Sequence, residues 1–419
     1  MSAPASDSPG AWTPRARPLI VVIAAGIFVT GFGWPGIIGR LPFSLLLKNQ
    51  LHMPAQKVAA FWAVATFAWY IKPLVGFVCD AYPLFGTRRR GYMLTGAVLA
   101  GVFWLAFAVV PRSYLPLMAV MTALNLALVA VSTVVGGLQV EVSQRYNATG
   151  RLASLRTGLE GVMNLLAGPV GGWLAICAFA WTAVAGAGVL LSFVPVAAVL
   201  YREPRGSRAD VAVWATARQQ MRIIVRSRAM WGATGLLFLV YLAPGLQTSM
   251  LYYQTDVLKL DPRFIGLLQL LGGGGGILGA ATYAVVCRRL TLKVSLIAGI
   301  LLNAASALLY LRYDSAAAAA IIDTSAAYLT ILATMPLYDL AARATPPGIE
   351  SFGFSLMMSI RNVAIFAISD VVGSYLYGHY HVGFKQLVWL NAGSSAAVLF
   401  FIPLLPAALL AAREEPRPV

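Results

Sequence analysis

The feature of this sequence that most constrains its fold is a series of long apolar runs that recurs along the whole chain. A run of about 20 apolar residues lets an α-helix cross the roughly 30 Å hydrocarbon core of a bilayer. Hydrophobic residues make up 59% of the 419 residues and charged residues only 11%, whereas soluble domains are about half apolar and a quarter charged. One globular core cannot account for this spread, so the pattern indicates an all-α, polytopic membrane protein.

Twelve membrane spans can be drawn on these runs. The 39 Gly and 23 Pro predict interrupted helices, which a bilayer tolerates where neighbouring helices cover the freed backbone groups. The first span is long, and we expect it to tilt or bend at residues 33–36. The predicted spans are 18–46, 55–80, 91–111, 114–140, 153–178, 180–201, 229–256, 263–287, 292–312, 315–340, 350–378 and 384–410.

The distribution of basic residues predicts the orientation. The net charge of +16 first suggests a nucleic-acid partner, but the basic residues are spread over short loops and form no basic domain, which argues against one. With the N-terminus in the cytoplasm, the inner segments hold about three times as many Lys and Arg as the outer segments, as the positive-inside rule requires. We therefore expect a bacterial inner-membrane protein with both termini in the cytoplasm.

The longest loop divides the spans into two groups of six. We expect a disordered cytoplasmic tail at 1–17, a six-helix half at 18–201, a cytoplasmic linker at 202–228, a second six-helix half at 229–410 and a cytoplasmic tail at 411–419. The linker segment from Trp214 to Ile224 predicts an amphipathic helix on the membrane surface. The ends of spans one and seven, 47–54 and 253–262, echo each other weakly. Two pseudo-symmetric six-helix halves are the layout of a major facilitator.

The most specific motif runs from span two into span three. Here Gly76 and Asp80 are followed by the basic cluster Arg88, Arg89 and Arg90, and together they resemble the cytoplasmic signature of the major facilitator superfamily. The segments Ile-Lys-Pro-Leu before Asp80 and Tyr-Pro-Leu-Phe-Gly after it resemble the folate–biopterin transporter family.

Other segments extend this resemblance over roughly residues 40 to 380. They are Leu47-Lys-Asn-Gln-Leu, Val140-Glu141 with Gly150-Arg-Leu-Ala-Ser-Leu, and Pro347-Gly-Ile-Glu350 with Ser359-Ile-Arg-Asn362. The resemblance implies a transporter that imports a folate or pterin. The chain departs from the family's usual residues at Gly136, Thr157 and Arg361, among others.

Charged side chains inside the spans are the candidate site residues. A charge at the bilayer centre costs about 2.5–3.5 kcal/mol, so such residues usually face a cavity or a partner. The cations Lys72, Arg361 and Arg40 favour an anionic substrate, and Trp69 offers a surface for a flat ring. Two alternatives stay open: Lys72 could form a structural salt bridge, and Arg40 could pair with an acid, Asp323 or Asp370.

The acidic residue in this set that we expect to be structural is Asp370. It lies nine residues after Arg361, and nine steps of 100° place the two side chains on opposite faces of a straight helix. They should not both point into one cavity, so Asp370 is expected to be paired elsewhere.

Two acids are candidates for proton coupling. Glu160 lies four residues after Arg156 on the same helical face, and an ion pair between them is the simpler alternative. Asp323 is the only charged residue in the interior of its apolar span, which has Asp339 at its cytoplasmic end. The residues that we expect to act in gating, partly through interhelical ion pairs of Asp80, Glu141 and Asp339, are Gly76, Asp80, Arg88, Arg89, Arg90, Glu141, Arg156, Asp339 and Glu350.

Catalytic and metal-binding functions have little support in the sequence. The three cysteines, Cys79, Cys177 and Cys287, lack metal-ligand spacing, and Gly272–Gly276 is not followed by the Lys and Ser/Thr of a phosphate loop. We expect no enzyme, metal or cofactor. The leading hypothesis is a monomeric, proton-coupled transporter of a small organic anion that works by alternating access. The alternatives are a major facilitator for a metal ion, metal chelate or other small solute, and a non-transporting membrane sensor or scaffold.

Overall fold

The computed structural model describes residues 17–146, 149–203, 211–286, 290–346 and 350–405. Within these ranges the chain is helical apart from short connections and one isolated β-bridge, Leu84 to Thr87. The two predicted tails, except for Arg17, lie outside the described residues, as does Cys287. The backbones of Asp80 and Glu350 lie in helices, but their side chains are also outside the description.

The helices are broken more often than the twelve predicted spans. The α-helices are α1 (Arg17–Phe32), α2 (Arg40–Leu45), α3 (Ala55–Ala65), α4 (Phe67–Tyr70), α5 (Lys72–Ala81), α6 (Arg90–Ala106), α7 (Tyr114–Arg145), α8 (Thr149–Ile176), α9 (Phe179–Leu191), α10 (Phe193–Leu200), α11 (Val211–Arg226), α12 (Arg228–Tyr241), α13 (Gln247–Tyr252), α14 (Pro262–Val286), α15 (Leu292–Leu309), α16 (Ala316–Ala344), α17 (Glu350–Asn362), α18 (Asp370–Gly378) and α19 (Phe384–Ala397). Three π-helical segments occur, π1 (Leu46–Gln50), π2 (Tyr253–Val257) and π3 (Val363–Ser369), together with 3₁₀ segments at Tyr310–Arg312 and Val398–Leu404.

Eight helices of the described chain are long and apolar enough to cross a bilayer, or nine if the bent pair around Ser227 is one span. Several other predicted spans are interrupted. The first comprises α1, α2 and π1 and breaks around Gly33 and Pro35, at the predicted bend. The second comprises α3, α4 and α5, and α6 is a single shorter apolar helix. The total of twelve spans stays a prediction, because the separate pieces of an interrupted span are each too short to cross a bilayer.

The predicted linker helix is present as α11. Its final part, from Arg218, meets α12 at an angle of 78°. Ser227 begins α12, since its Oγ accepts a hydrogen bond of 3.2 Å from the backbone N–H of Met230. The side chain of Ile224 is buried against the cluster that includes Met230, so one face of α11 packs on the helices that follow. Its position on a membrane surface stays a prediction.

Helices α8 and α14 approach closely at two glycines. A Cβ atom on Gly168 would collide with the backbone oxygen of Gly266, and the reverse is also true. Small residues allow such close contact between membrane helices. This contact joins the fifth predicted span to the eighth.

We expect Gly168→Ala to lower the melting temperature of the purified protein by several degrees, because the obstructing atom is backbone and α8 and α14 must move apart. Gly158→Ala is the matched control on the same helix, since nothing lies within 4 Å of its Cβ position and alanine favours a helix. Equal thermal shifts for the two variants would contradict this interpretation.

Candidate functional site

Two tryptophans and one asparagine form the centre of the candidate site. The indole N–H groups of Trp34 and Trp69 both donate to Oδ1 of Asn125, at 2.9 and 2.8 Å. The two rings lie edge to face, with centroids 5.6 Å apart. Trp34 lies in the break of the first span and Trp69 in the short helix α4, so the interrupted helices bring both rings to one place. Asn125 is fully buried and holds the two rings in fixed orientations.

Lys72, the first residue of α5, lies directly beside this centre. Its ammonium donates to Oγ of Ser132 at 2.9 Å and lies 5.2 Å from the centroid of the Trp69 ring. No carboxylate of the described residues forms an ion pair with it, so the salt-bridge alternative finds no partner there. An ammonium has three N–H donors, and the contact with Ser132 uses one.

Arg361 approaches the same region from α17. Its guanidinium lies 4.5 Å from the ring centroid of Tyr241 and 5.7 Å from that of Tyr338. Its Nε is buried and has no hydrogen-bond partner within the described chain. The hydroxyl of Ser359, two residues earlier, donates to the carbonyl oxygen of Trp69 at 3.4 Å. Lys72 follows Trp69 by three residues and Arg361 follows Ser359 by two, so this contact between α4 and α17 brings the segments of the two cations together.

Glu160 and Arg156 form the predicted ion pair, with 2.9 Å between Arg156 Nε and Glu160 Oε1. Glu160 also interacts electrostatically with Lys72 and with Tyr338. The pair therefore lies near Lys72 and Tyr338.

Open space surrounds this part of α7 and α8. No heavy atom lies within 4 Å of the Cβ positions of Gly136, Gly158 and Gly161. Gly158 and Gly161 flank Glu160 on α8, and both side chains of the Arg156–Glu160 pair are about half exposed.

Arg40 is paired with Asp370, one of the two acids that the sequence left open. Its Nη2 lies 3.4 Å from Asp370 Oδ2, and its guanidinium lies 4.3 Å from the ring of Trp62. The buried carboxylate of Asp370 also accepts the backbone N–H of Thr248 at 2.9 Å and its hydroxyl at 2.7 Å. Asp370 therefore ties α2, α13 and α18 together.

The prediction that Asp370 is paired elsewhere is confirmed by its contacts with Arg40 and Thr248. The 100° step used to reach it does not apply, because π3 lies between Arg361 and Asp370. A π-helix closes its hydrogen bonds from residue i to i+5, so each turn holds more residues than the 3.6 on which the 100° step rests. Arg361 contacts Tyr241 at the end of α12, and Asp370 contacts Thr248 in α13.

Asp323 belongs to a hydrogen-bonded chain that its sequence surroundings do not indicate. The hydroxyl of Tyr313 donates to Asp323 Oδ2 at 2.8 Å, and the amide of Gln254 donates to the Tyr313 oxygen at 2.7 Å. Tyr310 also hydrogen-bonds Asp323. Gln254 and Tyr313 are buried, and Gln254 lies in π2, so a direct path connects Asp323 to this segment.

The predicted gating residues at the cytoplasmic ends of the spans meet in two places. Arg89 forms an ion pair with Glu141 of α7. The backbone N–H groups of Arg88, Arg89 and Arg90 all donate to the carboxylate of Glu203, at 3.0, 3.0 and 2.9 Å. Glu203 therefore holds the N-terminal end of α6, where a negative charge is favourable.

The expectation of an interhelical ion pair for Asp339 is wrong. Its carboxylate lies 2.8 Å from Nε of Arg343, one turn later on the same helix. Gly76 packs against the neighbouring helix α7, since a Cβ there would lie 3.1 Å from the Thr133 methyl group.

A third set of contacts closes the predicted outer side, where sequence reasoning named no site residue. The ammonium of Lys48, in π1, contacts the side chains of Thr255 and Asp256, in π2. The hydroxyl of Tyr252 donates to the carbonyl oxygen of Met53. The weak echo between segments 47–54 and 253–262 is the one sequence signal that could have identified this contact.

The assembled site brings together charged, aromatic and hydroxyl side chains. It combines cations without carboxylate partners in the described structure, indole and phenol rings, and hydroxyl groups, but no group of three or more metal-ligating side chains among the described residues. Its uncharged members were not predicted, because Asn125, Ser132, Tyr241 and Tyr338 look like ordinary helix residues in the sequence. They are found only once the helices are packed.

Comparison with known proteins agrees with this architecture. The BT1 family matches residues 35–415. The chain is 28% identical over 405 residues to the folate-biopterin transporter of Synechocystis sp., covering 89% of this chain and 79% of that protein. It is 20% identical to folate transporter 1 of Plasmodium falciparum, over 81% of this chain and 68% of that protein.

The fold matches solved transporters of the major facilitator superfamily. The D-xylose–proton symporter superposes with a TM-score of 0.72 at 16% identity, covering 94% of this chain and 98% of that chain. The chain therefore belongs to the BT1 family of folate–biopterin transporters and is an integral membrane transporter for a small molecule, with the major facilitator fold.

Proposed function

We propose that this protein is a secondary transporter that moves a folate- or pterin-like organic anion across a bacterial inner membrane by alternating access. The observation that carries the proposal is the position of Lys72 and Arg361, two cations without carboxylate partners in the described residues, beside the Trp34–Trp69 pair. A buried cation without a counter-ion is costly, and an anionic substrate would supply that counter-ion. The names of the relatives support the same cargo.

The carboxylates and the flat ring of such a substrate would each contact a different part of the site. The carboxylates would receive charge-assisted hydrogen bonds from the Lys72 ammonium and the Arg361 guanidinium, which are about twice as strong as neutral ones. The flat ring would pack on the indoles of Trp34 and Trp69, whose orientations Asn125 fixes. Arg40 serves a different purpose in this proposal, because its observed contacts are with Asp370 and Trp62.

The difference between the two ends of the molecule supports alternating access. Contacts of Lys48 and of Tyr252 hold the predicted outer side closed, whereas open space lies beside α7 and α8 near Glu160. We assign the structure to an inward-facing state. The transition to the outward-facing state would break the outer contacts and close the cytoplasmic ends around Gly76, Asp80, the Arg88–Arg90 cluster, Glu141, Arg156, Asp339 and Glu350.

Proton coupling is assigned to Asp323, with Glu160 as the second acid. An ionised Asp323 accepts a hydrogen bond from Tyr313, which accepts one from Gln254. A protonated Asp323 can donate to Tyr313 instead, and Tyr313 can then donate to Gln254 once that amide turns to present its oxygen. Gln254, the last member of this hydrogen-bonded chain, lies in π2. The same segment contains Asp256, which pairs with Lys48 on the predicted outer side. Protonation and outer opening would thereby be linked.

We expect Asp323→Asn to abolish proton-driven accumulation of labelled folate in proteoliposomes and to retain folate exchange. The amide keeps the shape of the carboxylate but cannot gain or lose a proton, so accumulation should fall to the equilibrium level. Asp314→Asn is the matched control, since Asp314 is an exposed acid just before the same helix. Unchanged accumulation by Asp323→Asn across pH 5 to 8 would contradict the assignment.

The transport proposal itself is tested by uptake of labelled folate into right-side-out and inverted membrane vesicles. Folate-dependent flux that requires Lys72 and Arg361 is the expected result, and its direction distinguishes import from export. We also propose a monomer with both termini in the cytoplasm. Absence of folate or pterin flux in both vesicle types would exclude this cargo.

A further inference from the structure

A second cavity lies on the predicted outer side, away from the central site. It has a volume of about 440 Å³, within the range of small-molecule sites. Its wall combines Pro54 and Ala55 at the start of α3, residues of π2, the end of α18 and the start of α19. We call this cavity the outer vestibule.

Aromatic rings dominate the wall of the outer vestibule. Tyr253 and Phe384 stack face to face, with centroids 4.3 Å apart and planes 15° apart, so each ring holds the other in a fixed orientation in the wall. Tyr252 and Tyr377 supply two further rings, and His381 supplies an imidazole. Rings prefer offset-stacked or edge-to-face contact with other rings, so this wall is suited to a planar aromatic molecule.

Polar groups at the edge of the vestibule select heteroaromatic rings over hydrocarbons. Phenol hydroxyls both donate and accept hydrogen bonds, and an imidazole does the same through its two nitrogens. The vestibule wall supplies such groups from Tyr252, Tyr253, Tyr377 and His381. Ring nitrogens and carbonyl groups of a bound molecule would find partners here without any carboxylate.

The vestibule is lined by both segments that meet at the closed outer side, one next to π1 and the other π2 itself. Ala55 follows π1, which carries Lys48, and Tyr253 lies in π2 with Asp256, the partner of Lys48. A molecule that contacts α3 and π2 together can do so only while the two segments are close. It must therefore favour the outward-closed state by its differential affinity.

We propose that the outer vestibule is a binding site for planar heteroaromatic molecules that hold the outer side closed when they bind from outside. The site is separate from the central cations and does not depend on the identity of the transported substrate.

The test is a fluorescence anisotropy titration of lumichrome, a planar heteroaromatic ring without a carboxylate, against the purified full-length protein. Tyr377→Ala removes one wall, and Val257→Trp fills the cavity from an exposed position. We expect both variants to weaken binding about tenfold, the upper range for loss of one ring contact. Tyr380→Ala, an exposed tyrosine outside the cavity, and Lys72→Ala should bind as the wild type does.

Two results would overturn the proposal. Equal affinity in all of these proteins would mean that the probe partitions into detergent, and loss of binding in Lys72→Ala alone would place the ring in the central site. A second measurement uses spin labels at Lys57→Cys and Lys385→Cys, exposed positions on α3 and α19. Lumichrome should narrow their distance distribution towards the closed state; an unchanged distribution or a shift to longer distances would contradict the proposed closure.

Discussion

Replacing Lys72 or Arg361 by alanine is expected to weaken folate binding by about 10- to 100-fold while leaving the melting temperature almost unchanged. A hydrogen bond to a charged group contributes about 1.5–3 kcal/mol, and each 1.4 kcal/mol is tenfold in affinity. Neither cation has an ion-pair partner in the described part of the chain. Removing either one therefore leaves no described carboxylate without its counter-charge.

Isothermal titration of the purified variants with folate measures this effect. Lys72→Arg retains the charge and should recover part of the affinity, whereas Lys57→Ala, at an exposed position of α3, should bind as the wild type does. A variant that melts earlier but binds folate with unchanged affinity would show that Lys72 or Arg361 serves the fold and not the substrate.

The largest loss of stability is expected for Asp370→Ala. This change removes the acceptor of two hydrogen bonds from Thr248 and leaves Arg40 buried without its counter-ion. Breaking a buried ion pair by removing one partner costs about 3–5 kcal/mol. The double variant Arg40→Met/Asp370→Leu removes both charges and should recover most of this loss.

Chemical denaturation in detergent measures these differences as a double-mutant cycle. Asp339→Ala is the control, because it breaks a partly exposed pair within one helix, and such pairs contribute about 1 kcal/mol or less. If Asp370→Ala were no more destabilising than Asp339→Ala, the Arg40–Asp370 contact would not be a structural tie.

The sequence predicts the main elements of the fold because a bilayer limits the choices. The length of the apolar runs predicts membrane-spanning helices. The motif from Gly76 to Arg90 indicates the transporter family. The Arg156–Glu160 pair follows from spacing alone and is confirmed. These predictions rest on periodicity or motif, which are local properties of a chain.

The features that the sequence did not predict have different physical causes. The π3 segment changes the angle between Arg361 and Asp370, and no residue in Val363–Ser369 marks it as π-helical. Asp339 lies one turn from Arg343, and that local partner is the one it contacts. The uncharged partners Asn125 and Gln254 come from distant segments, so only tertiary packing shows their contacts.

The most direct test of the central claim is counterflow in proteoliposomes loaded with unlabelled folate and diluted into a trace of labelled folate. The wild-type protein is predicted to take up label above its equilibrium level, and a Lys72→Ala/Arg361→Ala variant that is equally folded is predicted to show none. Counterflow by the double variant at the wild-type rate, or its absence in the wild type with folate and with pterins, would contradict the proposal.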